Sequence, residues 1–83
     1  MYVKHFTSLS AIKYSMELSE QVGRVLKEAR KFKGLTQKEV ASLLLMTQQQ
    51  YSRFETGKFE LNYQQIVKLC EILDITPNDL FDK

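Results

Sequence analysis

Residues 47–58 read TQQQYSRFETGK, a run in which four side chains can make hydrogen bonds to an outside partner, three of them paired ones. If the segment is helical, Gln48, Gln49, Ser52 and Arg53 stand at i, i+1, i+4 and i+5 and share one side. A glutamine amide carries a donor and an acceptor side by side, and a guanidinium carries parallel donors. These groups pair bidentately with the edges of adenine and guanine respectively. The side they form is polar and mostly neutral, which suits the reading of base edges. Gln48 to Gln50 is also a short low-complexity run, but a mid-helix setting gives it a reading role; Gln64 and Gln65 have no such setting and read as a solvated face.

Catalytic chemistry finds no comparable set. His5 is the only histidine, Cys70 the only cysteine, and no cluster of Cys, His or acidic residues has the spacing of a metal site. The three glycines are isolated, so no phosphate-cradling loop forms. The expectation is a protein that is not an enzyme and holds no cofactor or metal.

A face that reads bases must be held by helices, and five segments carry helical signals, with no sustained period-two alternation for a sheet. The first is expected from Ser19 as N-cap to Phe32, with Val22, Leu26 and Ala29 in an apolar stripe and Gly34 as its stop. Thr36 with Glu39 three residues on forms a capping box for a short second helix ending near Leu44. Thr47 caps a third, which Gly57 ends. Asn62 caps a fourth, in which Ile66, Leu69, Cys70 and Leu73 recur at helical spacing; Thr76 and Pro77 open a fifth, with Leu80 and Phe81 as its apolar residues. The second and third helices, joined by a tight turn, have the form of a helix-turn-helix unit, with Ala41 small enough for a close crossing and Val40, Leu44, Tyr51 and Phe54 closing a shared core.

Eighty-three residues leave room for one domain, and 43% apolar with 27% charged residues is ordinary for a globular one. The division expected is an arm over residues 1–17 and an all-α domain over 18–83. Nine of the first seventeen residues are apolar, too many for a free tail; they fit a strand with a helical turn, or equally a sixth helix from Ser8 to Met16. Cys70 reads as a small core residue. The longest apolar run, Leu43 to Met46, is far below the roughly 20 residues of a membrane span, and no signal-peptide pattern is present, so a cytoplasmic protein is expected. Net charge is only +2, but residues 24–58 hold eight Lys or Arg against three acids and the remainder four against seven. A basic middle and an acidic end fit a chain that turns one face to a polyanion.

The run TQKEVASLLLMTQQQYSRFETGK, with GRVLKEARKFKGL before it and IVKLCEILDITPNDLF after it, resembles the Cro and lambda-repressor-like family, also called xenobiotic-response-element-type regulators. The resemblance covers about Val22 to Phe81 and rests on Gly23, Arg30, the Gly34-Leu35-Thr36-Gln37 junction, Glu39, Ala41, Ser52 to Glu55, Gly57 and Leu73 to Leu80. It implies a five-helix lambda-repressor-like fold and a sequence-specific regulator, acting as a repressor, that places the helix starting near Thr47 in the major groove of double-stranded DNA. Gln48, Gln49, Ser52 and Arg53 would then read bases. Gln37 and Thr47 at helix starts, and Lys58 after the helix-ending glycine, would hold phosphates. Arg30 and Glu55 would form a structural ion pair between the first and third helices, and Gly23 and Gly57 would serve packing and capping. Thr47-Gln48-Gln49 looks especially like phage repressors that read adenine and guanine with adjacent glutamines.

Such proteins pair as homodimers, so Ile75, Leu80 and Phe81, joined by Tyr2, Val3 and Phe6 of the arm, are the expected dimer contact. The same domain serves antitoxins and restriction-modification controllers, and an interaction module that meets a protein through its third helix is the reading from a different class. The chain departs from the family at Leu45, where glycine is usual in the inter-helix turn. A left-handed conformation there costs a leucine about 1–2 kcal/mol, so either the turn is reshaped or the strain is tolerated.

Overall fold

The computed structural model describes residues 8–81. Among them are five helices and no strand: α1 (Ser8–Phe32), α2 (Gln37–Leu43), α3 (Gln48–Glu55), α4 (Tyr63–Leu73) and α5 (Pro77–Phe81). This is the all-α architecture expected from the sequence. None of the described helices is long and apolar enough to cross a membrane.

The first helix departs from expectation. It starts at Ser8 and runs 25 residues without a break, so Ser19 lies inside it and caps nothing, and position 17/18 is not a structural boundary. The reason is local: no glycine or proline occurs between Ser8 and Val22, and a serine caps only where the chain before it leaves the helix. Tyr2, Val3, His5 and Phe6 lie outside the described residues.

Each short helix is opened by its cap. Thr36 Oγ1 accepts from the Glu39 N–H at 3.0 Å while Glu39 Oε1 accepts from the Thr36 N–H at 2.8 Å, closing the expected box. Thr47 forms the same box with Gln50, and Asn62 with Gln65. Gln65 is therefore a cap partner rather than part of a merely solvated face. At α5, Thr76 exchanges the equivalent pair of bonds with Asp79. These boxes satisfy N–H groups that a helix start leaves without partners.

The core takes residues from every helix: Val22 and Leu26 of α1, Val40 and Ala41 of α2, Tyr51 and Phe54 of α3, Leu69 and Leu73 of α4, and Leu80 of α5. Burying each large apolar side chain contributes roughly 1.5–3 kcal/mol. Leu44 is half-buried at the edge, and Cys70 packs beside the core with its thiol pushed up by burial and then by Asp79. At Gly23, α1 and α3 meet so closely that an added Cβ would lie 2.4 Å from the Glu55 carbonyl oxygen, so only glycine permits the crossing. Leu45 adopts φ 59 and is 94% exposed: the turn keeps its left-handed shape and carries the strain.

Leu80 corrects the expected dimer contact. It is fully buried, packed with the core, and has no surface left for a partner. Period alone does not say which of two adjacent apolar residues in a five-residue helix turns inward. Ile75 is half-buried and Phe81 is exposed.

Candidate nucleic-acid interface

The order of α2, α3 and the loop after them brings Gln37, Gln48, Gln49, Ser52, Arg53, Thr56 and Lys58 onto one open concave surface. Six of these seven were marked from the sequence. Two cations and no acid are among these lining residues, which makes the surface attractive to an anion. Thr47 is not part of that lining; it stands exposed at the start of α3. Its box with Gln50 takes the N–H groups of Thr47 and Gln50, and helix geometry leaves those of Gln48 and Gln49 directed out of the helix start. The Thr47 oxygen accepts within the box, so its hydroxyl hydrogen can still be donated outward.

Thr56 is the residue that sequence reasoning missed. Its N–H and hydroxyl both donate to the Ser52 carbonyl, at 3.1 and 3.3 Å, closing the last turn of α3. The signal was present, since Thr56 stands at i+7 from Gln49 and i+4 from Ser52, along the same side.

Beneath the surface lies an ion pair. Arg30 donates from Nε to Glu55 Oε2 at 2.6 Å, from Nη2 to Glu55 Oε1 at 3.1 Å, and from Nη1 to the Leu35 carbonyl at 2.9 Å. Both charged residues are buried, and the fork-to-fork geometry ties α1 to α3 and to the α1–α2 turn. Burial by itself would raise the Glu55 carboxyl; hydrogen bonds from Arg30, then Gln37, outweigh it and hold the group below its ordinary value. The Tyr51 hydroxyl is buried beside this pair, and burial, then Glu55, pushes it well above the usual phenol range.

Gln37 links this pair to the surface. Its Nε2 donates to Glu55 Oε1 at 2.9 Å, and its Oε1 accepts from Gln48 Nε2 at a longer 3.4 Å. Accepting from Gln48 and donating to Glu55, Gln37 orients one amide of α3 from the core outward, and its second amide hydrogen is left for an outside acceptor. Arg53, on the other side of the surface, sits over the Phe59 ring.

Residues 23–83 match the helix-turn-helix domain family. The chain is 36% identical over 58 residues to the SPbeta prophage-derived HTH-type transcriptional regulator YonR of Bacillus subtilis, covering 70% of this chain and 54% of that protein. It is 37% identical over 51 residues to the HTH-type transcriptional regulator YqaE of the same organism, covering 61% of this chain and 44% of that protein. The chain thus spans about half the length of the curated relatives it matches. Its fold is similar to the crystal structure of the clp gene regulator ClgR from C. glutamicum, with a TM-score of 0.72 at 26% identity over 77% of this chain and 82% of that one. With the capped α2 and α3 crossing at a tight turn, and with this match over residues 23–83, the chain belongs to the helix-turn-helix domain family.

Proposed function

We propose that the chain is a sequence-specific double-stranded DNA-binding transcriptional regulator of the Cro and lambda-repressor-like type, a cytoplasmic repressor that acts as a homodimer. The observation that carries this reading is the surface on which Gln48, Gln49, Ser52 and Arg53 of α3 stand together with Gln37 and Lys58. The match to transcriptional regulators of the helix-turn-helix type supports it.

The roles divide by chemistry. Gln48 and Gln49 present amide edges suited to adenine, Arg53 a guanidinium suited to guanine, and Ser52 a shorter contact between them. Gln37, Thr47 and Lys58 hold phosphates and fix the register of α3 in the groove. Arg30 and Glu55 stay beneath as the structural pair, holding α3 at its angle to α1.

Phosphate holding and base reading respond differently to salt, and that separates them. Binding to random duplex should weaken steeply with salt, with a log–log slope of about −0.9 per phosphate contacted. Lys58→Ala should weaken cognate and random DNA alike and lower that slope by about one. Fluorescence anisotropy over a salt series measures both. A slope that Lys58→Ala leaves unchanged contradicts its phosphate role, and binding that is indifferent to salt contradicts the whole reading.

A further inference from the structure

Arg53 is the only cation in α3, and a long side chain on an open surface has many rotamers to lose before it can meet a base edge. One neighbour restricts it. The guanidinium carbon lies 5.4 Å from the centroid of the Phe59 ring, within the range of cation–π attraction.

The backbone of Phe59 is itself held. Its N–H donates to the Arg53 carbonyl at 3.2 Å, and the Lys58 N–H donates to the same oxygen at 2.9 Å, so the backbone of residue 59 is pinned to the residue whose side chain the ring meets. Phe59, 49% exposed, also lines a cleft with Leu18, Val22, Phe54, Leu61 and Ile66. Cation–π attraction uses the charge of a guanidinium and none of its hydrogen-bond geometry to an acceptor, so contact with Phe59 and bidentate pairing with a base edge are compatible.

We infer that Phe59 is a specificity-determining positioning residue, which holds the Arg53 guanidinium in its reading pose before DNA arrives. The inference rests on the base-reading role of Arg53 proposed above. Fixing a reader in advance strengthens binding to the site with the matching base pair and does nothing for phosphate contacts. Sequence pattern gives no hint of this role, because Phe59 lies in a loop and meets Arg53 only through the fold.

The test begins with a cognate site selected from a random-sequence duplex library, and reads the ratio of cognate to random affinity. Phe59→Leu keeps an apolar side chain and removes the ring; it should lower the ratio roughly 2- to 5-fold, the worth of an exposed cation–π contact. The loss should fall at the base pair that Arg53→Ala also relaxes, with random-DNA affinity and salt slope unchanged. Phe59→Tyr should keep the ratio. Trifluorophenylalanine at position 59, which weakens the ring's negative face at nearly constant shape, should lower it, and this variant answers the question should Phe59→Leu fail to fold. In an Arg53→Ala background Phe59→Leu should add no further loss. If Arg53→Ala relaxes specificity while Phe59→Leu and the fluorinated ring do not, this inference is overturned and the reading role of Arg53 stands. If Arg53→Ala itself leaves the ratio unchanged, the reading role fails and the inference with it. A ratio that rises without the ring, or falls equally with and without Arg53, overturns the inference too.

Discussion

A leucine at φ 59 whose side chain is 94% exposed gains neither backbone ease nor burial from its place. Leu45 holds that place because the α2–α3 turn needs a left-handed residue: the Leu45 N–H donates to the Ser42 carbonyl and the Met46 N–H to the Ala41 carbonyl, which brings Thr47 to the start of α3. Glycine would meet the same geometry without strain. Relief of about 1–2 kcal/mol is offset by the roughly 0.4–1 kcal/mol of extra freedom glycine gives the unfolded chain. Leu45→Gly should therefore raise stability by about 0.5–1 kcal/mol in urea titration at unchanged m-value, and a loss of stability would mean the exposed leucine packs in a way this geometry does not show.

At the scale of the helices, the Arg30–Glu55 pair sets how α3 stands on α1, and it makes stability depend on pH. The folded-state value of Glu55 lies below its ordinary 4.5, so its contribution is complete above that pH and is lost as pH falls through the folded value. Glu55→Gln leaves Arg30 buried without its countercharge; it should lower stability at pH 7 by roughly 3–5 kcal/mol and flatten the acid limb of the stability curve below pH 4.5. An acid limb identical to that of the parent would remove Glu55 from this role. Much at this scale was legible beforehand, because Thr36, Thr47, Asn62 and Thr76 announce four helix starts by type and position alone. The start of α1 was not, since nine apolar residues among the first seventeen leave no clean period and no breaker marks a boundary before Ser19. Gln50 and Gln65 close their capping boxes through an amide oxygen, which accepts the same bond as a glutamate carboxylate but marks a helix start less plainly in a sequence. Of the surface itself, the sequence points to the residues that helical spacing gathers; Thr56 lies on the same spacing as the C-cap of α3, and Phe59 and the burial of Leu80 depend on contacts between elements.

At the scale of the whole molecule, one short helix makes few base contacts, and two copies related by a two-fold axis would set their α3 helices about 34 Å apart, one turn of the duplex. Ile75 and the exposed Phe81 are the apolar residues near α5 that a second copy can cover. Sedimentation velocity should find a dimer at micromolar concentration; a monomer that binds a single half-site specifically at high micromolar concentration would contradict the pairing. Central to the account is that the open side of α3 reads sequence. Changing Gln48, Gln49 and Arg53 together to alanine removes the reading groups from residues that are exposed, so the fold should persist. The decisive measurement is the ratio of affinity for the selected cognate duplex to that for random duplex, parent against this triple variant, at one salt concentration. Each base contact is worth about 1–3 kcal/mol, so the ratio should fall by at least a hundredfold while random-DNA binding weakens only by the one charge removed; a ratio that stays the same would show that some other surface reads the DNA.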